Sequence, residues 1–469
     1  MTSWDRKPPK KLKADRDAAV RQQVVNLVGP SAPFWRQQLS LVGLSPKSIT
    51  GLAALSRIPA VGERDVCPDG DPTGAARMVL QTDERGFAMR AAGQQMRAAY
   101  VRRLFSTTDY RRRVDAVIRP TTFHEGGIAL RYPIASTRGD LDLIARAGFR
   151  LFRVLGIGRQ DVVAVTLADT TSMEAVALRY AGVGAGSPTV ETAGDVDALA
   201  RAMTVFPISV IVAAAGDAPD ILDALAEADI NVSEVHTLVL VGGISARART
   251  EARNALERAG STAVVLFAWG PRDGRILYGE CRESVTRGAT TGLHSYPDLD
   301  VFQLVDPETG DSLPDTFESG GELVLTQLGF WGTALLRWRT GTVVDKPIDK
   351  SACPACRRVV ARIPGDMHAE VLATPLGDEL VDLRVIAGAM VGRPDIRSWR
   401  IECFPQVGRV VVHIEPSGAD SSELGLIISR DIRRASGLAP SEVVVHTDEP
   451  LGPWPAQPGR ITPRFLVHP

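Results

Sequence analysis

Three cysteines and one histidine carry the clearest chemistry in the chain: Cys281, His294 and the pair in Cys353-Pro354-Ala355-Cys356. Two ligand pairs, one of them a C-x-x-C, make the three-thiolate, one-imidazole set that Zn2+ prefers in tetrahedral structural sites. A lone C-x-x-C can instead be redox-active, but that motif opens a helix after a strand, and this one does not. The bland alternative is that Cys281 and His294 are ordinary residues and the Cys353/Cys356 pair is free. Filled, the site would clamp the region around residue 290 to the junction after residue 345, contributing on the order of 10 kcal/mol to the local fold. A second candidate is Gly242-Gly243, which follows the apolar run Leu238–Val241 and precedes a helical stretch with Ser245 near its start. On the residues alone, a plain strand-to-helix turn with an N-cap serine explains it equally well. Gly156-Ile157-Gly158 and the glycines of 182–186 read as turns, because neither has the order or spacing of a phosphate loop. There is no Gly-x-Ser-x-Gly, no His-Glu-x-x-His and no plausible Ser/His/Asp order.

The chain that must position these residues has 469 of them, too many for one core, so two or more domains are expected. Apolar residues at 44% and charged residues at 23% are ordinary for a globular protein. A net charge of −1 argues against a general nucleic-acid or membrane-surface binder. No run approaches the roughly 18 apolar residues of a bilayer span. Residues 1–13 are basic and proline-containing but have no apolar h-region, so they do not read as a secretory signal. Five cysteines do not make a disulfide framework, and a cytoplasmic location is expected.

Residues 1–118 read as a helical entry, with helical periodicity in Ala18–Leu27 and Ala92–Phe105. The basic cluster Arg102-Arg103 and Arg111-Arg112-Arg113 reads as a solvated helix end, with an anionic partner as the alternative. From 119 to 289 strands alternate with helices. Val162–Val165, Val210–Val212, Leu238–Val241 and Val264–Phe267 are apolar strand runs, separated by helices at Ser172–Tyr180, Val196–Met203, Pro219–Ala228 and Ala246–Ala259. That pattern predicts a parallel sheet covered on both faces, with ligands at the carboxyl ends of its strands. Residues 290–345 change to alternating strands and suggest a small antiparallel barrel. A polar linker with the cysteine pair covers 346–366. Residues 367–469 read as a small ferredoxin-like α+β domain: strand Ala369–Ala373, helix Glu379–Met390, strands Arg400–Phe404 and Arg409–Ile414, helix Leu424–Ser436, strand Glu442–Val445. The fold class expected is therefore α/β, with a large N-terminal domain, 1–345, of doubly wound sheets and a barrel subdomain.

Between Ala268 and Val344 five short motifs recur in order: Trp269-Gly270-Pro271-Arg272-Asp273, Gly292-Leu293-His294, Val305-Asp306-Pro307-Glu308-Thr309-Gly310, Gly320-Gly321-Glu322-Leu323-Val324-Leu325-Thr326, and Leu336-Arg337-Trp338-Arg339-Thr340-Gly341. Near the start stand Ser31-Ala32-Pro33-Phe34-Trp35, Leu44-Ser45-Pro46 and Leu52-Ala53-Ala54-Leu55-Ser56-Arg57-Ile58-Pro59. Together they resemble the adenylate-forming (acyl-CoA synthetase) superfamily, specifically its phenylacetate–CoA ligase-like branch, from Pro33 to Arg464. Some proteins of that branch are similar at the zinc positions too, with a Cys, a Gly-Leu-His and a Cys pair.

The resemblance implies roles residue by residue. Gly242 and Gly243 would lie along the adenine, and Trp269 would stack on it. After Gly270, Arg272 stands where the family has a threonine and can contact phosphate, bidentately in favourable geometry. Asp273 stands for the family's glutamate; one methylene shorter, it ligates Mg2+ only if the backbone shifts toward the metal. Arg339 matches the family's arginine, whereas Thr342 replaces the aspartate that binds both ribose hydroxyls, at a cost of about 2–3 kcal/mol of nucleotide affinity. The phosphate loop departs further: His124-Glu125-Gly126-Gly127-Ile128-Ala129-Leu130-Arg131 has neither the hydroxyls nor the lysine, and only Gly126 and Gly127 could form an anion nest. The interdomain hinge pattern is missing at Arg362–Met367. Arg460, in Pro458-Gly459-Arg460-Ile461-Thr462, replaces the family's catalytic lysine and keeps its charge but not its compact point donor.

Two functions follow from the resemblance. One is an acid–thiol ligase that activates a carboxylic acid with ATP and Mg2+ and passes the acyl group to CoA or another thiol, with Asp273 on Mg2+ and Arg272 and Arg460 on the phosphates. The other is a non-catalytic descendant that binds a metabolite, an acyl-nucleotide or a protein partner. Three losses at separate sites that act on one nucleotide favour impaired or altered chemistry. Neither reading calls for nucleic acid, and a homodimer is compatible with both.

Overall fold

A computed structural model describes residues 5–67, 72–80, 119–126, 132–244, 246–306, 309–314, 320–344, 346–364, 367–368, 373–376, 379–382, 386, 389–390, 393–404, 407–418, 423–436, 439–447, 451 and 465–467. The expected helix Ala92–Phe105, the basic cluster at 102–113, Gly127–Arg131, Ser245 and the Arg460 motif lie outside these residues. The chain packs as two compact units. One comprises Met1–Gly156, Thr171–Gly186 and Gly270–Asp366; the other comprises Ile157–Thr170, Ser187–Trp269 and Met367–Pro469.

In the second unit the apolar runs become a parallel sheet, in the order Val264–Trp269, Thr237–Val241, Ile208–Ala214, Val162–Val165, Thr189–Glu191. Val163, Val210, Ile211, Val212, Leu238, Val239, Leu266 and Phe267 are all inaccessible, as a sheet covered on both faces requires. Helices Val196–Val205, Ala218–Glu227 and Ala246–Arg258 fall where the periodicity puts them. Asp195 caps the first by accepting from Ala198 N at 2.8 Å, and Pro219 sits in the first turn of the second. The edge strand Thr189–Glu191 is short and polar, so no apolar run announces it.

The C-terminal residues of that unit build a second sheet. Ile396–Phe404 and Arg409–Pro416 are antiparallel; Glu442–Val445 runs parallel to the latter and Phe465–Val467 parallel to the former. Leu424, Ile428 and Ile432 make the buried stripe of helix Leu424–Ser436. One expectation is corrected here. Glu379–Asp382 is a strand, not the start of a helix, and pairs antiparallel with Ala373–Leu376. The Gly377-Asp378 dipeptide between the two runs is a hairpin signal that outweighs the loose helical spacing after it.

In the first unit, hairpin strands Pro120–Gly126 and Tyr132–Thr137 lead into helix Arg138–Leu155. Thr137 and Asp140 form its capping box: Asp140 N donates to Thr137 Oγ1 at 3.2 Å and Thr137 N to Asp140 Oδ2 at 2.9 Å. This helix packs on Met173–Ala185 with almost no space between backbones, since a Cβ on Gly184 would lie 2.0 Å from Ala145 O and one on Gly148 2.3 Å from Ala181 Cα. Gly184→Val therefore forces the helices apart, and we expect a loss of about 1–3 kcal/mol in urea unfolding; an unchanged midpoint would contradict this packing. Asp300–Val305, Gly321–Gln327 and Trp338–Val344 form an antiparallel sheet, the character expected for 290–345. A smaller antiparallel set joins Tyr278–Glu280, Leu293–His294 and Arg362–Ile363. Among the described residues no helix is long and apolar enough to cross a membrane.

Candidate metal centre and active-site residues

The small antiparallel set gathers the cysteines. Cys281 follows strand Tyr278–Glu280 and caps the short helix Arg282–Val285, with its carbonyl accepting from Ser284 N at 3.0 Å. Across the sheet, His294 is the register partner of both Gly279 and Arg362. Arg362 closes a loop on Asp349 through paired backbone bonds of 2.8 and 3.0 Å, and that loop carries Cys353 and Cys356. Within it Cys353 N donates to Arg358 O and Arg357 N to Cys353 O, both at 2.9 Å, which turns the two thiols to the same side. The ligand atoms of Cys281, His294, Cys353 and Cys356 all lie within 4.8 Å of one another. Cys281, His294 and Cys353 are fully buried, and all three cysteines are free thiols.

The spacing suits a tetrahedral ion. Zn–S and Zn–N bonds of ordinary length put adjacent ligand atoms about 3.5–3.8 Å apart, and Cys356 Sγ stands 3.6 Å from His294 Nε2. The electrostatics divide the four groups into two that shed protons and two that keep them. A hydrogen bond from the Cys281 thiol holds Cys356 far below the usual thiol range and pushes Cys281 up. Burial raises the Cys353 thiol, but hydrogen bonding to His294 brings it down to about 7. Burial works against a charged His294, and the same sulfurs more than offset it, so its pKa rises. Cys353 and Cys356 are thus held toward thiolate, the form that binds metal, whereas Cys281 and His294 hold protons that an arriving ion would displace.

Asp273 sits elsewhere in the same unit and is only 4% exposed. Its Oδ1 accepts from Tyr132 Oη at 2.6 Å and its Oδ2 from Trp338 Nε1 at 2.7 Å. Burial, then the Asp273 charge, keeps the Tyr132 phenol well above its ordinary pKa, so it remains a donor. Gly126 backs onto the same carboxylate: a Cβ there would meet Asp273 Oδ1 at 2.9 Å. Asp273 is thus clasped from both sides. An Mg2+ ion would have to share that carboxylate with two neutral donors inside a closed packing.

Arg339, three-tenths exposed, donates from Nε and Nη2 to Glu322 Oε2 at 2.8 and 2.6 Å, while Gly341 N holds Glu322 Oε1 at 3.0 Å. Thr342 is fully buried, and its Oγ1 has no partner among the described residues. On strand Trp338–Val344 side chains alternate, and Thr342 shares the inward face of Trp338 and Thr340. Arg272 is half-buried, and Gly270 passes so close to Ile276 O, 2.5 Å from an added Cβ, that no side chain fits. In the other unit Gly242 and Trp269 occupy the carboxyl ends of adjacent parallel strands, one residue beyond the Val241–Ala268 pair. Gly242, at φ +138°, adopts a backbone that favours glycine.

Sequence reasoning missed Tyr132, the role of Trp338 as a donor, and Glu322 as the partner of Arg339. It also missed Arg275, which is wholly buried and binds Ala135 O, Thr333 O and Gln327 Oε1. No spacing rule could find Tyr132, because it reaches Asp273 across 141 positions.

Neither a family profile nor a curated protein matches the sequence. Solved structures do match over the whole chain. A crystal structure of 2-hydroxyisobutyryl-CoA ligase in the postadenylation state, in complex with R3-HIB-AMP, superposes with a TM-score of 0.67 at 15% identity, covering 100% of this chain and 95% of that one. An open conformation of 2-hydroxyisobutyryl-CoA ligase, in complex with 2-HIB-AMP and CoA, matches with a TM-score of 0.59 at 16% identity, covering 99% and 97%. This chain therefore shares the fold of 2-hydroxyisobutyryl-CoA ligase.

Proposed function

We propose that the protein is a phenylacetate–CoA ligase-like member of that fold, built around a structural zinc centre, in which activation of a carboxylic acid by Mg–ATP is impaired. The single observation that carries this reading is the clasped Asp273. Where the family is expected to present a carboxylate to magnesium, this chain buries it against Tyr132 and Trp338. Thr342, buried where the ribose aspartate would stand, supports the same reading. The ligands that remain appropriate to the scaffold are a small carboxylic acid, its acyl-nucleotide, and CoA or another thiol. Zinc would be held by Cys281, His294, Cys353 and Cys356, a donor set and spacing that fit it. The ion would supply cross-linking rather than chemistry, because all four positions are filled by protein.

Calorimetry and pyrophosphate exchange test the nucleotide half. The lost ribose carboxylate alone lowers affinity about 30- to 150-fold. Binding of Mg–ATP is expected to be undetectable at micromolar nucleotide, with no exchange across a panel of aryl and fatty acids. Micromolar Mg–ATP affinity together with rapid exchange for any acid would refute the impairment. The fully non-catalytic alternative differs in one outcome: no acyl-nucleotide analogue would then be turned over to a thioester in the presence of CoA.

A further inference from the structure

The zinc ligands leave one buried neighbour unexplained. Arg358, two positions beyond Cys356, has a guanidinium only 9% exposed. Its Nε donates to Asp5 Oδ2 at 3.1 Å and its Nη2 reaches Arg153 O at 3.5 Å. Its Nη1 stands 3.8 Å from Glu283 Oε2 and has no hydrogen-bond partner among the described residues. The residue is also bound into the ligand loop, since its carbonyl accepts from Cys353 N at 2.9 Å, and Glu283 lies between its guanidinium and the Cys281 thiol. Asp5 is itself buried, at 3% exposure, and its carbonyl accepts from Val359 N at 2.7 Å, so two bonds tie it to the cysteine loop. Four residues later the chain enters helix Pro9–Arg21.

Charge explains why an arginine belongs there. A divalent ion with three thiolates and a neutral imidazole carries a net charge of −1. Burying that charge is costly without a cation close by, and Glu283, 3.3 Å from Cys281 Sγ, adds a second negative group. We propose that Arg358 is a positioning residue that neutralises the metal–thiolate centre and, through Asp5, couples metal loading to docking of helix Pro9–Arg21. The proposal rests on the zinc reading above. Coupling of this kind is reciprocal: if the ion fixes Arg358 for Asp5, a docked Asp5 fixes Arg358 for the ion.

The test uses the full chain, zinc-loaded or stripped by chelator, and reads two quantities. One is zinc affinity, by competition with a chromophoric chelator. The other is tryptic cleavage at Lys10, Lys11 and Lys13 relative to Arg430, Arg433 and Arg434 in the other unit. Lys10, Lys11 and Lys13 are exposed, so cleavage there reports opening of their helix. Arg358→Met is expected to weaken zinc about 10- to 100-fold, the usual effect of losing an outer-shell partner, with partial rescue in Arg358→Lys. Asp5→Asn, which touches no ligand, should weaken zinc several-fold and speed cleavage of the helix, and stripping the wild type should speed that cleavage at least tenfold. Wild-type zinc affinity in both Arg358→Met and Asp5→Asn would overturn the proposal while leaving the zinc centre intact. So would unchanged relative cleavage after stripping. Absence of stoichiometric zinc from the wild type would overturn the metal reading and this coupling with it.

Discussion

Replacing Cys353 with serine is expected to lower the melting temperature of the protein by at least about 10 °C and to abolish stoichiometric zinc. Cys353 is fully buried and links the 349–362 loop to His294 on the opposite strand. The elements it joins are weak by themselves: Leu293–His294 and Arg362–Ile363 are two-residue strands, and Arg282–Val285 is a single turn. Elements that short gain little from their own local hydrogen bonds, so a cross-link between them adds much to their stability. Structural zinc contributes on the order of 10 kcal/mol at neutral pH, of which losing one ligand of four forfeits a large part. At about 2–4 °C per kcal/mol for domains of this size, a loss of about 5 kcal/mol gives the shift stated. Serine keeps the side-chain shape but is more polar and a poor zinc ligand, so the shift beyond that of the same substitution in chelator-stripped protein isolates metal binding. Metal analysis and calorimetric melting of Cys353→Ser against the wild type decide it. Equal melting temperatures would show that the four residues are held together without stabilisation from an ion.

How much of this was legible beforehand depended on whether the signal was local. The strands Val162–Val165, Thr237–Val241 and Val264–Trp269 could be read because a sheet buried on both faces demands uninterrupted apolar runs. The cysteines could be read because metal chemistry restricts residue type, so Cys281, His294, Cys353 and Cys356 stand out even when 75 positions separate the first from the last. The clasp on Asp273 was not legible. A tyrosine before a proline and a tryptophan in a strand each have many ordinary reasons to exist, and only the fold brings Tyr132 and Trp338 to one carboxylate. The same holds for Asp5 and Arg358, whose pairing spans 353 positions. The helix expected over Glu379–Met390 failed for the converse reason: a hairpin dipeptide decides locally, whereas a weak helical period needs a partner surface to decide it.

Arg275→Met is expected to cost the protein about 3–5 kcal/mol and to loosen the Asp273 clasp without touching it. Arg275 is wholly buried, stacks 4.2 Å over the Phe330 ring, and supplies both donors that Gln327 Oε1 receives from it, at 3.0 and 2.9 Å. It further donates to Ala135 O at 3.2 Å and Thr333 O at 2.6 Å, and Asp140 Oδ2 lies 4.0 Å away. Burial pulls its pKa down to about 10, with Asp140 opposing, so it is still charged at neutrality. Methionine fills much of the volume but leaves those acceptors and the Asp140 charge without their cation. Removing one partner from a buried charged network costs about 3–5 kcal/mol, far more than the pair itself is worth against an apolar replacement of both. The site feels the change because the three elements joined by this guanidinium also carry the clasp: Ala135 follows Tyr132 in its strand, Thr333 precedes Trp338, and Arg275 itself lies two residues from Asp273. Arg275→Lys keeps the charge but loses the planar fork, so it should fall between the two. Urea unfolding gives the energy, and the absorbance titration of Tyr132, compared through Tyr132→Phe difference spectra, gives the clasp. An Arg275→Met protein with wild-type stability and an unchanged phenol titration would mean that Asp273 is held by its own two donors alone.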